Sequence, residues 1–285
     1  MTTVSAPIPA PAMTSGRHLI TNGIRLHFLD LESSRPEHGS DPDGQTVVLI
    51  PGIVNPAITW EFVGRHLAAF GRVIVLDNRG RGLSSGGPDI GYTLDDYAQD
   101  AAGLIEALGL DRPFVLGHSM GGRIAIKLAA TRPDLVGSLI VADPPLSGPG
   151  RPAIGGSIQW WLDGIDAAAR GEAPDSAAPN LRNWTPEQLA LRSEWMPTCD
   201  KTAVRKSFEY FATEDIHILL PDIQCRTLLI YAENGGMVTE DSAAEVASHL
   251  KDGRVLRIDN VGHMIPWDDL DGFVTAVRDF IAAKN

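Results

Sequence analysis

The segment Gly117-His118-Ser119-Met120-Gly121 lies between an apolar run, Pro113-Phe114-Val115-Leu116, and a small-residue helix start, Gly122-Arg123-Ile124-Ala125. A G-x-S-x-G turn that follows a strand and opens a helix tolerates only neighbours with little or no side chain. The serine hydroxyl is then pushed out at the top of a sheet. The free N–H groups of the following helix point at the same spot. The segment therefore reads as a nucleophile elbow with Ser119 as candidate nucleophile. It commits the chain to a sheet with helices packed on it.

At 285 residues, 44% apolar and 21% charged, the chain can bury one large core and a modest insertion. Its formal charge of −12, from 24 Lys+Arg against 36 Asp+Glu, argues against nucleic acid or an anionic membrane surface as partner. An anionic substrate must then be met by locally placed cations. Cys199 and Cys225 are too few for a disulfide framework and lack metal spacing. His18, His27, His38, His66, His217 and His249 show no metal-ligand spacing either, so neither a metal nor a cofactor is expected. No run of about 18 apolar residues could span a bilayer. Residues 1–17 are rich in proline and alanine and lack the basic start and apolar stretch of a secretory signal. They are expected to form a disordered tail on a cytoplasmic protein, and the sequence carries no signal for an oligomeric state.

Short β-branched runs alternate with helical patterns, the signature of a mostly parallel sheet covered on both faces: an α/β fold. The expected strands are Thr46 to Ile50, Val73 to Leu76, Phe114 to Leu116, Ser138 to Val141, Thr227 to Tyr231 and Val255 to Ile258. Leu94, Tyr97, Ala98, Ala101, Leu104, Ile105 and Leu108 form an apolar stripe at helical spacing, with Thr93 as N-cap and Gly109 as stop. The alternation breaks between about Ser147 and Leu220, a stretch that opens on Pro144, Pro145, Pro149 and Pro152 and carries Trp160, Trp161, Trp184 and Trp195. Residues 147–220 are expected to be a helical cap, inserted into a core formed by 18–146 and 221–285.

With the elbow, strand order and insertion in place, the chain resembles the α/β-hydrolase family from about Leu19 onward. Leu76-Asp77-Asn78-Arg79-Gly80-Arg81-Gly82-Leu83-Ser84 resembles the family's D-x-R-G-x-G-x-S turn after the fourth strand. Asn260-Val261-Gly262-His263 resembles the loop that carries the catalytic histidine. The resemblance implies the α/β-hydrolase fold, with the cap after the sixth strand, and a serine hydrolase with His263 as base.

Two departures from the family pattern are informative. Many members have His-Gly after the third strand, where this chain has Pro51-Gly52-Ile53. The stabilising donor there is a backbone N–H, so the amides of Ile53 and Met120 remain the candidate oxyanion hole. The second concerns the acid, which in most members follows the seventh strand. Here Leu228-Leu229-Ile230-Tyr231 is followed by Ala232-Glu233-Asn234-Gly235-Gly236, with glycine at the expected aspartate position. A histidine base needs a carboxylate behind it. Asp143, directly after the sixth strand, is the candidate, because some members place the acid there; Glu233 is the competitor.

On the substrate side the candidates are Arg123 for a carboxylate, His118 and Trp160. Arg123 is equally suited to a buried structural pair. His118 is more often packed beneath a nucleophile than in contact with substrate, and Trp160 and Trp161 could wall an apolar pocket or form the cap's core. Arg79 and Arg81 suit a role tying loops together.

Longer segments narrow the resemblance: Pro51 to Trp60, Arg79 to Ser85, Asp143-Pro144-Pro145 with Ser147 to Gly150, and Gly262 to Asp269. These resemble the N-formylmaleamate deformylase branch of the family, from bacterial nicotinate degradation. That implies a small anionic amide substrate, with water as co-substrate and Ser119, Asp143 and His263 as triad. A relative acting on an acetamidomethylene succinate or another enamide or ester, or a ligand receptor on the same fold, are the alternatives.

Overall fold

A computed structural model of the chain describes residues 14–33, 46–155, 157–172, 181 and 183–283. Two strands not anticipated from the alternation come first, β1 (Thr14–Thr21) and β2 (Ile24–Leu31). They pair antiparallel through Asn22-Gly23, both at positive φ (47° and 74°), the backbone a two-residue hairpin requires. β1 begins inside the segment expected as a tail, because residues 14–17 pair with Phe28 to Leu31; the rest of that segment, 1–13, lies outside the described residues.

There follow β3 (Val47–Ile50), α1 (Glu61–Leu67), β4 (Val73–Leu76), α2 (Leu94–Ala107), β5 (Phe114–His118), α3 (Met120–Thr131) and β6 (Ser138–Ala142). α4 (Ile158–Ala169), α5 (Pro186–Trp195) and α6 (Lys201–Thr213) come next. The chain closes with β7 (Thr227–Ala232), α7 (Glu240–His249), β8 (Gly253–Ile258), α8 (Ile265–Asp268) and α9 (Leu270–Ala282). The sheet order is β1-β2-β4-β3-β5-β6-β7-β8, with every pair from β4 to β8 parallel.

The six anticipated strands are all present, their ends shifted by at most two residues. α2 starts as its sequence predicts: Thr93 accepts from the Asp96 N–H, Asp96 answers to the Thr93 N–H, and Gly109 follows at φ 61°. β3, β4 and β6 are buried along their whole length, as parallel strands covered on both faces must be. Each Val, Leu or Ile so buried contributes about 1.5–3 kcal/mol. One face packs against α2 and α3, and the other against α1 and α9. Between β6 and β7 the described residues form helices and no strand, and α5 lies on the turn Ala57–Trp60 that follows β3.

Candidate active site

The elbow is a single residue between β5 and α3. Ser119 sits at φ 55°, ψ −121°, a conformation costing on the order of 1–3 kcal/mol that persists only where the surroundings over-determine it. They do so here. A Cβ on Gly117 would run into the Gly121 carbonyl, and one on Gly121 into the carbonyl of Ile50. The Ser119 N–H donates to Ala142 at 2.9 Å, tying the elbow to the end of β6.

Asp143 is the next residue after β6, and it too is forced to positive φ (44°). Its N–H donates to Ile230, and its Oδ1 accepts from the Ala232 N–H at 3.3 Å. That leaves Oδ2 facing His263 Nδ1 at 2.7 Å, while His263 Nε2 lies 3.0 Å from Ser119 Oγ. The Asp143 carboxylate is wholly buried. Gly235, at the position where the acid usually stands, has no room for a side chain: a Cβ there would come within 2.5 Å of Asp143 Oδ2. The space a side chain at 235 would need is filled by the Asp143 carboxylate. Glu233 points elsewhere; it is exposed and accepts from the Asn260 N–H at 2.8 Å, bracing the histidine loop. The same loop is held by Gly262 N–H to Asp268 (2.7 Å) and Asn234 N–H to Val261 (2.9 Å).

His118 holds that loop from below. Its ring is wholly buried between Trp60 (4.9 Å between centroids) and His263 (4.8 Å), and its Nε2 donates to the His263 carbonyl at 2.9 Å. It packs beneath the elbow. Because a carbonyl only accepts, Nε2 carries the proton and Nδ1 is bare. Burial, then the neighbouring His263, pushes its pKa from 6.5 down to about 3. The unfolded chain therefore binds a proton that the folded chain refuses, and stability should fall as pH drops from about 6.5 towards 3. At about 1.36 kcal/mol per pKa unit the loss is of the order of several kcal/mol. Denaturant unfolding at pH 7 and pH 4 should show His118→Leu losing much of this pH dependence; an undiminished dependence would assign acid lability to other groups.

Facing the elbow, Pro51-Gly52-Ile53 leaves β3. A Cβ on Gly52 would lie 3.3 Å from Ser119 Cβ and 3.0 Å from Asn55 Oδ1, so only glycine brings the segment this close to the nucleophile without displacing a neighbour. Among the described residues, neither the Ile53 N–H nor the Met120 N–H has an acceptor. Arg81, wholly buried behind them, donates from Nε to the Ile53 carbonyl (2.8 Å) and from its terminal nitrogens to Arg79 O, Tyr97 Oη and Ser207 Oγ. Arg79 grips Asp100 with two bonds of 2.6 Å. Both arginines tie loops together.

The other two substrate-side candidates lie in different settings. The Arg123 guanidinium is wholly buried and donates to the carbonyls of Pro145, Ser147 and Glu214 (2.8, 2.9 and 2.5 Å), with Tyr210 and Phe211 beneath it. It faces main-chain carbonyls and stitches the strand-exit loop to the end of α6, with its Nε–H unpartnered among the described residues. Trp160 is 44% exposed and stands edge-on to Trp161; no contact among the described residues brings it to Ser119. A cation that no sequence motif marks behaves differently. Arg192 on α5 is buried, lies 5.4 Å over the ring of Trp184, and has no hydrogen bond or ion pair among the described residues. It is the only buried residue of the polar, capped helix α5, where no apolar stripe marks an inward face.

The chain matches the family model described as alpha/beta hydrolase fold over residues 45–270. It is 43% identical to an N-formylmaleamate deformylase of Pseudomonas putida over 267 residues, 94% of this chain and 96% of that protein. A crystal structure of N-formylmaleamic acid deformylase from Pseudomonas putida superposes with a TM-score of 0.84 at 39% identity, covering 92% of this chain and all of that one. A 2-(acetamidomethylene)succinate hydrolase of Mesorhizobium japonicum is 34% identical over 126 residues, 44% of this chain and 43% of that protein.

Proposed function

The chain belongs to the α/β-hydrolase family and is a hydrolase, and from that premise we propose that it cleaves a C–N amide bond, deformylating N-formylmaleamate to maleamate and formate. The observation that carries the reading is the unbroken contact from Ser119 Oγ through His263 to Asp143, set beside two amides with no acceptor. The likeness to the deformylases supplies the substrate class.

In this mechanism Ser119 Oγ attacks the formyl carbon while His263 Nε2 takes its proton. Asp143 holds the imidazole in the tautomer with Nδ1–H and faces the imidazolium that forms. The oxyanion is received by the Ile53 and Met120 N–H groups; losing one such donor costs about 2.7–4 kcal/mol in other hydrolases. The formyl nitrogen is acylated on its other side, so the leaving group is an amide anion, which needs only the proton returned by His263. Water, deprotonated by His263, then attacks the formyl-enzyme and releases formate. Residues 147–220 act as the cap over this site, and Arg192 and Trp184 belong to it. Cys199 and Cys225, buried and unpaired, suit a reducing cytoplasm. Among the described residues no helix is long and apolar enough to cross a membrane.

Formate release from N-formylmaleamate by the purified protein tests the reading, with an aryl ester and fluorophosphonate labelling of Ser119 run alongside. Stoichiometric formate with maleamate is the expected result. Ester turnover without deformylation would leave a serine hydrolase of another substrate, and 2-(acetamidomethylene)succinate is the second compound to assay, since the partial likeness to its hydrolase favours it. Neither labelling nor turnover would point to a receptor.

A further inference from the structure

We infer that Asn55 is a further catalytic residue, whose side-chain amide donates to the substrate's second carbonyl oxygen, on the leaving-group side of the scissile C–N bond. The inference rests on the amide substrate class proposed above. The point where a side chain on Gly52 would begin lies 3.0 Å from Asn55 Oδ1, 3.3 Å from Ser119 Cβ and 3.5 Å from His118 Nδ1. The Asn55 carboxamide and the nucleophile thus border one small space, kept open by glycine. The backbone puts them there. The Asn55 N–H turns back to the Gly52 carbonyl (3.4 Å), with Ile53 at the head of that turn, and Pro56 confines the residue before it to extended backbone. Core side chains pin the segment: Asn78 donates to the Pro51 carbonyl (3.0 Å), Arg81 to that of Ile53 (2.8 Å), and Asp77 accepts from the Ala57 N–H (2.5 Å).

Asn55 is 5% exposed, and its Nδ2 has no acceptor among the described residues. A donor left buried without a partner is costly, so its retention asks for a reason. Two side chains with such an orphaned atom border the space beside Ser119, and the other, His118, offers a bare acceptor. The reaction has use for a donor here. The formyl oxygen is met by the Ile53 and Met120 N–H groups. When the tetrahedral adduct collapses, the C–N bond breaks and its electron pair passes to nitrogen and, by conjugation, to the oxygen of the neighbouring carbonyl. His263 returns to nitrogen the proton taken from Ser119, and formyl-Ser119 and maleamate result. An N–H already fixed at the second oxygen binds it more strongly as charge develops, and so acts on the rate.

The experiment measures Asn55→Leu, close in size, and Asn55→Ala on two matched pairs of substrates. N-formylmaleamate and 4-nitrophenyl formate give the same formyl-enzyme; diacetamide and 4-nitrophenyl acetate give the same acetyl-enzyme. Within each pair, only the first member has a second carbonyl on its leaving group. The kcat/KM value, which reads the steps up to the acyl-enzyme, should fall roughly 10- to 100-fold more for the amide than for its paired ester. Denaturant unfolding should show the stability of Asn55→Leu held or raised, because an unsatisfied buried amide gives way to an apolar group of like size. If Asn55→Leu does not fold, Asn55→Ala decides by the same ratio. An unchanged ratio overturns the inference, whether neither substrate loses rate or both lose it equally, the mark of a displaced Ile53. Deformylation with that unchanged ratio refutes Asn55 and leaves the deformylase reading standing. Hydrolysis of diacetamide without deformylation, its ratio to the ester falling in the variants, does the reverse. Hydrolysis of neither amide overturns both.

Discussion

Ser119→Ala and His263→Ala each leave a folded protein whose formate release is down by about 10⁶-fold, and combining them costs little more than either alone. The expectation follows from the geometry. Ser119 Oγ and His263 Nε2 are 3.0 Å apart, and attack and proton removal are one event, so deleting either partner disables both. Additive losses would instead mean that the two act in separate steps. Circular dichroism establishes the fold, steady-state formate release the rate, and fluorophosphonate labelling the state of the nucleophile. Ser119→Ala also removes a side chain from a backbone held at φ 55° by contacts it does not itself make, so stability should change little. Retention of more than about a hundredth of the rate in either single variant would sink the covalent mechanism, given the far larger losses such units show.

Asp143→Asn should lower kcat by up to about 10⁴ in a folded protein. The amide places an N–H or a weaker acceptor opposite His263 Nδ1, favouring the wrong tautomer, and removes the negative charge that faces the imidazolium. The carboxylate's second oxygen accepts from Ala232, a bond the amide oxygen can keep, so the loop should survive the change. Glu233→Gln should be nearly silent, because its partner is the Asn260 N–H, which an amide oxygen also satisfies. Gly235→Asp offers a third arm: it restores the usual acid position where Asp143 Oδ2 already lies, and should inactivate through the clash and the buried like charge. An active Asp143→Asn beside a dead but folded Glu233→Gln would return the acid to the β7 loop.

Much of this architecture was written in local patterns. The elbow demands small residues at fixed offsets, and Gly117, Gly121 and Gly122 supply them within one turn. The six strands anticipated in the sheet are short apolar runs whose period needs no partner to be seen. The β1–β2 hairpin carried its own signal in Asn22-Gly23 but was masked by mixed strands such as Arg17 to Ile20, where charged, polar and apolar residues interleave. The candidate acid is legible as an exclusion at Gly235 and through the resemblance that places it after the sixth strand. Glycine at 235 said that the carboxylate was elsewhere, and the strand end at Asp143 was the nearest alternative.

The sequence by itself thus determined six strands of the sheet, the elbow and the histidine loop, because each depends on residues adjacent in the chain and on steric rules that act over a few bonds. Only the tertiary structure sets Asp143, and not Glu233, against His263 and gives Arg79, Arg81 and Arg123 their acceptors. A guanidinium's role depends on which acceptors lie within 3 Å of its nitrogens, and for Arg123 these come from Pro145, Ser147 and Glu214, up to 91 residues away. Arg123 stood close to the elbow in sequence and was drawn into main-chain carbonyls. Arg192 stood far from it, yet the packing of α5 left its charge unpartnered among the described residues.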